Sequence, residues 1–154
     1  MSSRIASFVS SGFGSGYAPK APGTFGTVAA AVVWLGMSWA GALSTLETRS
    51  VCAVLTILLG TLAIRLSLDS ESAKDPQWIV IDEWAGLYIA LIAADFRVLW
   101  QVLLAFILFR IFDISKVGPI RTAERLPGAV GIMADDVVAG FFALLGMIAA
   151  RYLV

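Results

Sequence analysis

The sequence predicts an all-α protein, a compact bundle of about five apolar helices integral to a membrane, with its polar site loops gathered at one end. The 154 residues are 59% hydrophobic and 14% charged, whereas charged residues make up about a quarter of a typical soluble domain. Five long segments are apolar around nearly their whole circumference, which is typical of helices buried in protein or lipid. No segment shows the alternating pattern of a strand.

The five segments differ in length. A helix that crosses a bilayer needs about 20 residues, so the first, second and fifth segments are long enough or nearly so. The third and fourth need flanking residues to cross, and a soluble bundle that shelters them is the alternative. A single domain over residues 1–154 accommodates all five. The segments are Thr27–Leu46, Ser50–Leu68, Trp84–Ala94, Val98–Phe112 and Val137–Val154.

The loops predict which ends of the helices lie together. If the helices alternate in direction, the three long loops share one end, and the two tight turns (Glu47–Arg49 and Asp95–Arg97) share the other with the C-terminus. The long-loop end would carry Arg4, Lys20, Arg65, Lys74, Arg110, Lys116, Arg121 and Arg125, against Arg49, Arg97 and Arg151 at the other. The positive-inside rule then predicts that the long-loop end faces the cytoplasm.

Composition excludes several kinds of function. Lys plus Arg equals Asp plus Glu at 11 each, so no basic field supports nucleic-acid binding. The single Cys52 excludes an internal disulfide. The chain has no histidine, which excludes a phosphohistidine intermediate and a histidine base. The residue six after Cys52 is Leu58, so the thiolate–arginine arrangement of cysteine phosphatases is missing as well.

The glycine-rich stretch GFGSGYAPKAPGTFGT is the first candidate site element. Gly14, Ser15 and Gly16 lie in a loop that can turn backbone N–H groups toward a phosphate. Thr24 and Thr27 can cap the helix that follows, whose N-terminus favours anions. A plain turn with an N-cap is the simpler interpretation of the stretch alone.

Two acidic pairs are predicted to begin helices. Asp82–Glu83 lies in IVIDEWAG and Asp135–Asp136 in GIMADDVVAG. The helix dipole favours acidic residues at such positions, and this explains either pair alone. However, a cap needs one aspartate, and two adjacent carboxylates repel unless a cation or an arginine lies between them.

The stretch FRIFDISKVGPIR adds a basic face. Arg110, Asp113 and Lys116 recur at intervals of three, so in a helix they share a face. Ionisable residues at a membrane boundary are costly and indicate function. An Arg110–Asp113 ion pair with Lys116 reaching toward water is the alternative.

Alternation of the helices would gather these groups at one end. Five carboxylates without histidine or cysteine ligands suit a hard cation, magnesium above all. Magnesium with arginine, lysine and a glycine-rich loop is suited to binding phosphate. Hydrolysis would then use metal-activated water with a carboxylate base, while a carboxylate nucleophile stays open.

These residues carry a family likeness: the chain resembles the bacterial phosphatidylglycerophosphatase A family. The four quoted stretches occur in the family's order and roughly its spacing, from Gly12 to Gly140. Asp82–Glu83 match its Asp–Glu pair, Arg110, Asp113 and Lys116 its Arg, Asp and Lys, and Asp135–Asp136 its closing pair. Two departures from the family pattern lie in loops. After Lys116 the family usually has a proline, whereas here Val117–Gly118 precede Pro119. The loop before GIM usually begins with two glycines, whereas here it reads PGAVG.

The resemblance implies a magnesium-dependent phosphatase of phospholipid biosynthesis, multi-pass in the bacterial inner membrane with its active site facing the cytoplasm. It would convert phosphatidylglycerol phosphate to phosphatidylglycerol. A small cation-binding or transport protein with the same carboxylates is the alternative, although these cluster at one end of the helices rather than at the midplane. Small residues in the first and last segments permit close helix contacts within or between chains.

The hypothesis assigns a role to each candidate residue. The predicted catalytic residues, which are also the predicted Mg²⁺ ligands, are Asp82, Glu83, Asp113, Asp135 and Asp136. The predicted phosphate-binding residues are Arg110, Lys116, Arg121, Gly14, Ser15, Gly16, Thr24 and Thr27.

Overall fold

A computed structural model describes residues 2–68 and 76–153, and this part of the chain is helical without strands, which confirms the predicted fold class. Lys74, counted above at the long-loop end, lies outside the described residues. A short 3₁₀ turn spans Ser15–Tyr17. The α-helices are α1 (Ser2–Ser10), α2 (Pro22–Trp39), α3 (Leu46–Ser67), α4 (Ile81–Leu91), α5 (Leu99–Ser115), α6 (Pro119–Ala123) and α7 (Gly128–Leu153).

Two described helices, α1 and α6, were not among the five predicted. The nine residues of α1 are too short and too polar to stand out as an apolar segment, and the helix is held against α3, where the Ser10 and Ser67 hydroxyls lie 3.0 Å apart. The five residues of α6 begin at Pro119, a residue favoured at the first helical position because its missing N–H is not needed there.

The predicted start of the last helix was wrong. It begins at Gly128 rather than near Val137, so Asp135 and Asp136 lie about two turns inside α7 and do not cap it. The small apolar residues between Gly128 and Asp135 continue the helix. Interior positions expose the carboxylates to neighbouring helices rather than to the N-terminal N–H groups.

The predicted caps of α2 were wrong for a similar reason. The helix starts at Pro22, after Ala21 in a left-handed conformation, and no side chain caps it. Thr24 and Thr27 therefore lie within the first turns. The Thr27 hydroxyl donates to the Gly23 carbonyl one turn earlier, at 2.7 Å.

The predicted grouping of the tight turns is confirmed by contacts at one end of the bundle. The Arg49 guanidinium donates to the Ala94 carbonyl at 2.8 Å, and Arg151 donates to the Ala93 carbonyl at 3.0 Å. The two tight interhelical turns and the C-terminal helix thus meet at this end of the bundle. The described parts of the long connections, with their polar residues, lie at the opposite end.

Two described helices, α3 and α7, are long and apolar enough to cross a membrane. Along α3 few residues are buried, and leucines such as Leu58 and Leu62 are 60% and 52% exposed. A core helix of a soluble protein would bury such side chains, and apolar surface of this extent marks contact with a membrane or a partner. The length of α3 and α7 and the exposed apolar surface of α3 together indicate a membrane protein.

Close backbone packing fixes how α4 crosses α7. A Cβ atom added at Gly140 would lie 2.3 Å from the Gly86 carbonyl oxygen, so only glycine permits this approach. Gly86 follows Asp82 by four residues, and Gly140 follows Asp136 by four. The two aspartates therefore each lie one helical turn before the glycine contact, on the same side of the crossing.

Candidate active site

Three carboxylates meet where α4 and α7 cross. Oxygen atoms of Asp82, Glu83 and Asp136 lie within 4.8 Å of one another. Asp82 and Asp136 are 5% and 4% exposed, so the cluster is shielded from water. The structure thus brings together three of the five carboxylates that the sequence suggested as ligands.

Glu83 is the most informative member of the cluster. Burial is the main cause that raises the pKa of its carboxyl to about 7; a hydrogen bond with Asp82 and the charge of Arg110 oppose this rise, and the charge of Asp113 adds to it. Among the described residues, no hydrogen-bond partner reaches Glu83 Oε2, which is buried. Such an atom calls for a proton or a cation, because an unpaired buried carboxylate oxygen is costly.

Arg110 of α5 lies beside the cluster. Its Nη1 donates to Asp113 Oδ2 at 2.6 Å and lies 4.0 Å from Glu83 Oε1. The predicted Arg110–Asp113 pairing on one face of the helix is therefore present. The three clustered carboxylates and Asp113, together with the Arg110 guanidinium, would carry a net charge of −3 if all were ionised. The site therefore lacks positive charge to balance its carboxylates.

The two threonines proposed as phosphate ligands orient Arg110. Its Nη1 donates to Thr27 Oγ1 and its Nη2 to Thr24 Oγ1, both over a long 3.5 Å. Thr27 is fully buried. These contacts hold the guanidinium plane against α2, so their effect on a phosphate would pass through Arg110.

Gly23, one of several glycines in the glycine-rich stretch, lies beside the cluster but was not among the predicted phosphate-binding residues. A Cβ atom there would lie 2.3 Å from Glu83 Oε1 and 3.4 Å from Arg110 Nη1. The backbone of α2 consequently touches the carboxylate that borders the guanidinium. The glycine-rich composition pointed to this loop, but not to the glycine that faces the cluster.

Lys116 forms a second basic centre, together with Asp135 and Glu124. Its Nζ lies 3.0 Å from Asp135 Oδ2 and 2.6 Å from Glu124 Oε1. Burial alone would lower the pKa of Lys116, but the hydrogen bonds and charges of Glu124 and Asp135 raise it above its ordinary value. Glu124 was missed, since its place eight residues after Lys116 forms no recognisable pattern.

The remaining predicted phosphate ligands lie elsewhere. The N–H groups of Gly14, Ser15 and Gly16 donate within the loop, to Ser11 Oγ, the Gly12 carbonyl and the Ser11 carbonyl at 3.1, 3.2 and 2.9 Å. These bonds do not favour the predicted phosphate-binding role, which stays a prediction. Arg121 lies exposed on α6, and its predicted contact with phosphate also stays a prediction.

Comparison with known proteins gives the class: this helical bundle, with candidate membrane spans and a buried acidic site beside an arginine, is a hydrolase of lipid phosphate monoesters. More narrowly, the chain belongs to the phosphatidylglycerophosphatase A family, whose model matches residues 8–151. The resemblance drawn from the four stretches is confirmed.

Three curated relatives illustrate the match. A phosphatidylglycerophosphatase A of Haemophilus influenzae is 38% identical to this chain, and the match covers 92% of this chain and 85% of the relative. The phosphatidylglycerophosphatase A of Escherichia coli K12 is 36% identical, over 84% of this chain and 73% of the relative. A protein of Bacteroides thetaiotaomicron, named as a candidate phosphatidylinositol-3-phosphatase, is 35% identical over 95% and 93%. No solved structure matches this chain.

Proposed function

We propose that this protein hydrolyses the terminal phosphate of phosphatidylglycerol phosphate to give phosphatidylglycerol, with Mg²⁺ as its cofactor, in phospholipid biosynthesis. The observation that carries the proposal is the buried cluster of Asp82, Glu83 and Asp136 with Arg110 at its edge. Family membership supports the choice of substrate, and the buried carboxylates support the choice of cation.

The residues present fit a magnesium ion. Oxygen ligands suit this hard cation, and the buried Glu83 Oε2 without a hydrogen-bond partner among the described residues is a donor atom available to it. We propose Asp82, Glu83 and Asp136 as its holders, with Asp113 and Asp135 alongside. When bound, the ion would supply charge stabilisation at the phosphoryl oxygens and lower the pKa of a coordinated water.

The basic side chains would bind the phosphate, and a carboxylate would act as the base. Arg110, held by Asp113 and the two threonines, would pair with the phosphate as a planar fork, because guanidinium bonds to phosphate are charge-assisted and often bidentate. Lys116, held by Asp135 and Glu124, would add a second positive charge nearby. A carboxylate of the cluster would accept the proton of the attacking water.

The proposed location follows from the arrangement of the ends. The site lies at the long-loop end, where most of the lysines and arginines fall, and this bias favours the cytoplasmic side of a bacterial inner membrane. With several helices crossing in alternation, the lipid headgroup would meet the carboxylates at the cytoplasmic interface.

Phosphate release by the purified protein in detergent micelles tests the proposal. Phosphatidylglycerol phosphate should be hydrolysed with Mg²⁺ and not after EDTA treatment. Asp82→Asn and Asp136→Asn should lower turnover by about a hundredfold or more. Asp95→Asn, at the opposite end, is the matched control, because Asn keeps the oxygen that accepts from the Arg97 N–H.

Two results would overturn parts of the proposal. Near-normal turnover by both cluster variants in folded protein would remove the site, and activity untouched by EDTA would remove the magnesium. Phosphatidylinositol 3-phosphate and phosphatidic acid should be tested in parallel, since one relative carries an inositol lipid in its name. Cation flux in liposomes without phosphate release would support the transport alternative instead.

A further inference from the structure

A polar cavity lies at the end of the bundle opposite the acidic cluster. It encloses about 600 Å³, within the range of about 300–1,000 Å³ typical of small-molecule sites. Three arginines line it: Arg49 near the start of α3, Arg97 in the turn before α5 and Arg151 near the end of α7. Among the described residues of the lining, Asp95 is the acidic one, and its Oδ1 accepts from the Arg97 backbone N–H at 3.0 Å. Three guanidinium groups against one carboxylate give the cavity a net charge of +2.

The positive charges of this cavity are held by backbone carbonyls rather than by carboxylates. Arg49 Nη1 donates to the Ala94 carbonyl at 2.8 Å, and Arg151 Nη1 donates to the Ala93 carbonyl at 3.0 Å, so two guanidinium groups are fixed on consecutive peptide units. Among the residues that the structure describes, no carboxylate oxygen lies within 4.0 Å of any of the three guanidinium groups. Like charges at short range repel, and an anion between them relieves the repulsion. The cavity therefore favours an anionic ligand.

Ser38 of α2 is a second, independent indication of a ligand. This residue lines the cavity and is 3% exposed. Its buried Oγ has no hydrogen-bond partner among the described residues. Buried hydroxyl groups are normally hydrogen-bonded, because an unpaired one costs free energy. A ligand with several acceptor oxygens would satisfy this hydroxyl and the guanidinium donors together.

The position of the cavity indicates the class of ligand. Helix α3 begins at Leu46 and α7 ends at Leu153, so the cavity lies at one end of both candidate membrane spans, at the depth of the lipid headgroups. Trp39 borders the cavity, is 79% exposed and packs against Phe96 with the ring centroids 6.3 Å apart. Tryptophan is enriched at this interface, and basic side chains there attract anionic headgroups. A phospholipid phosphate has the charge and the acceptor oxygens that this lining requires.

We propose that this cavity binds the phosphate of an anionic phospholipid in the leaflet opposite the active site, as a resident lipid that is not hydrolysed. The guanidinium groups supply the charge, and the Ser38 hydroxyl donates to a phosphate oxygen. A zwitterionic lipid carries the same phosphate, but its ammonium group is repelled by the net positive charge, so anionic lipids are preferred. The inference does not rest on the proposed function, since it uses no residue of the acidic cluster.

Titration of lipid into the purified full-length protein in neutral detergent, followed by native mass spectrometry, tests the inference. The probe is dioleoyl phosphatidylmethanol, an anionic diester that is neither substrate nor product of the proposed reaction. It should bind about tenfold more tightly than dioleoyl phosphatidylcholine. Arg97→Gln should weaken its binding by about tenfold, because a charged hydrogen bond is lost. Arg4→Gln on α1, which removes the same charge at the long-loop end, is the matched control and should bind like wild type.

Ser38→Ala separates binding from folding. Without lipid its unfolding temperature should equal or exceed that of wild type, because the variant removes an unpaired buried hydroxyl. Its affinity for phosphatidylmethanol should nevertheless fall several-fold, and so should the stabilisation that the lipid confers.

Three results would overturn the inference. The first is wild-type affinity of both Arg97→Gln and Ser38→Ala for phosphatidylmethanol. The second is equal affinity of the wild-type protein for the anionic and the zwitterionic lipid. The third is binding of inorganic phosphate as tightly as phosphatidylmethanol, which would assign the cavity to a free anion instead of a lipid. All three measurements are independent of hydrolysis, so they decide the cavity whether or not the proposed function holds.

Discussion

Gly86 and Gly140 touch through their backbones where α4 crosses α7, and each lies four residues after an aspartate of the active-site cluster. A side chain at either position would force the two helices apart. The cluster of Asp82, Glu83 and Asp136 therefore depends on two residues that carry no chemistry. This relationship leads to the first prediction.

Gly140→Ala should destabilise the protein and lower its activity without removing any carboxylate. Its Cβ atom would overlap the Gly86 carbonyl oxygen at 2.3 Å, and overpacking of this kind costs about 1–3 kcal/mol. Thermal unfolding in detergent and phosphate release measure the two effects. Gly36→Ala is the control, since nothing lies within 4 Å of its Cβ position; equal behaviour of the two variants would contradict the crossing as described.

Arg110→Gln should impair both stability and turnover, for separable reasons. Asp113 and Glu83 would lose their cation, and breaking a largely buried ion pair costs about 3–5 kcal/mol. In the double variant Arg110→Gln/Asp113→Asn the unfolding temperature should recover, because one uncompensated charge is gone. Activity should stay low, since the phosphate still lacks its guanidinium. Recovery of turnover along with stability would show that Arg110 serves folding alone.

Lys116 and Glu124 should differ in importance although they form one ion pair. Glu124 has a side chain 48% exposed, and pairs this exposed contribute at most about 1 kcal/mol. We expect Glu124→Gln to leave turnover within about twofold of wild type. Lys116→Gln should raise KM about tenfold, because Asp135 would lose its partner and the phosphate a positive charge. Steady-state kinetics of both variants check this, and equal KM values would refute it.

Magnesium affinity should rise with pH. In the cation-free protein, burial raises the pKa of the Glu83 carboxyl to about 7, so below that pH a proton occupies a position that the cation needs. Calorimetric titrations should show tighter Mg²⁺ binding as the pH rises through about 7 and a weaker dependence above it. They should also show proton release on binding in the lower range. An affinity independent of pH would mean that Glu83 is no ligand.

The sequence predicted the helical class and the gathering of polar groups at one end, because apolar segments and loop lengths fix the alternation of helices. It missed α1 and α6, which are too short to show apolar periodicity. It placed Asp135 and Asp136 at a helix start, since glycines upstream resemble a loop.

Which carboxylates cluster and which pair with a basic side chain could not be predicted from the sequence. Five carboxylates looked equivalent along the chain. In the structure Asp82, Glu83 and Asp136 cluster where α4 crosses α7, whereas Asp113 pairs with Arg110 and Asp135 with Lys116. Likewise Gly23 meets Glu83 of a distant helix, and Glu124, just after α6, meets Lys116 at the end of α5. Such contacts depend on packing, which local residue patterns do not specify.

Titration of Mg²⁺ into the purified, metal-free protein tests the central claim most directly. Wild type should bind the ion, and Glu83→Gln should lose most of that affinity, because it removes a donor oxygen from the buried cluster. Asp135→Asn, whose carboxylate is held by Lys116 outside the cluster, should retain much of it. Undiminished binding of Mg²⁺ by folded Glu83→Gln would contradict the account.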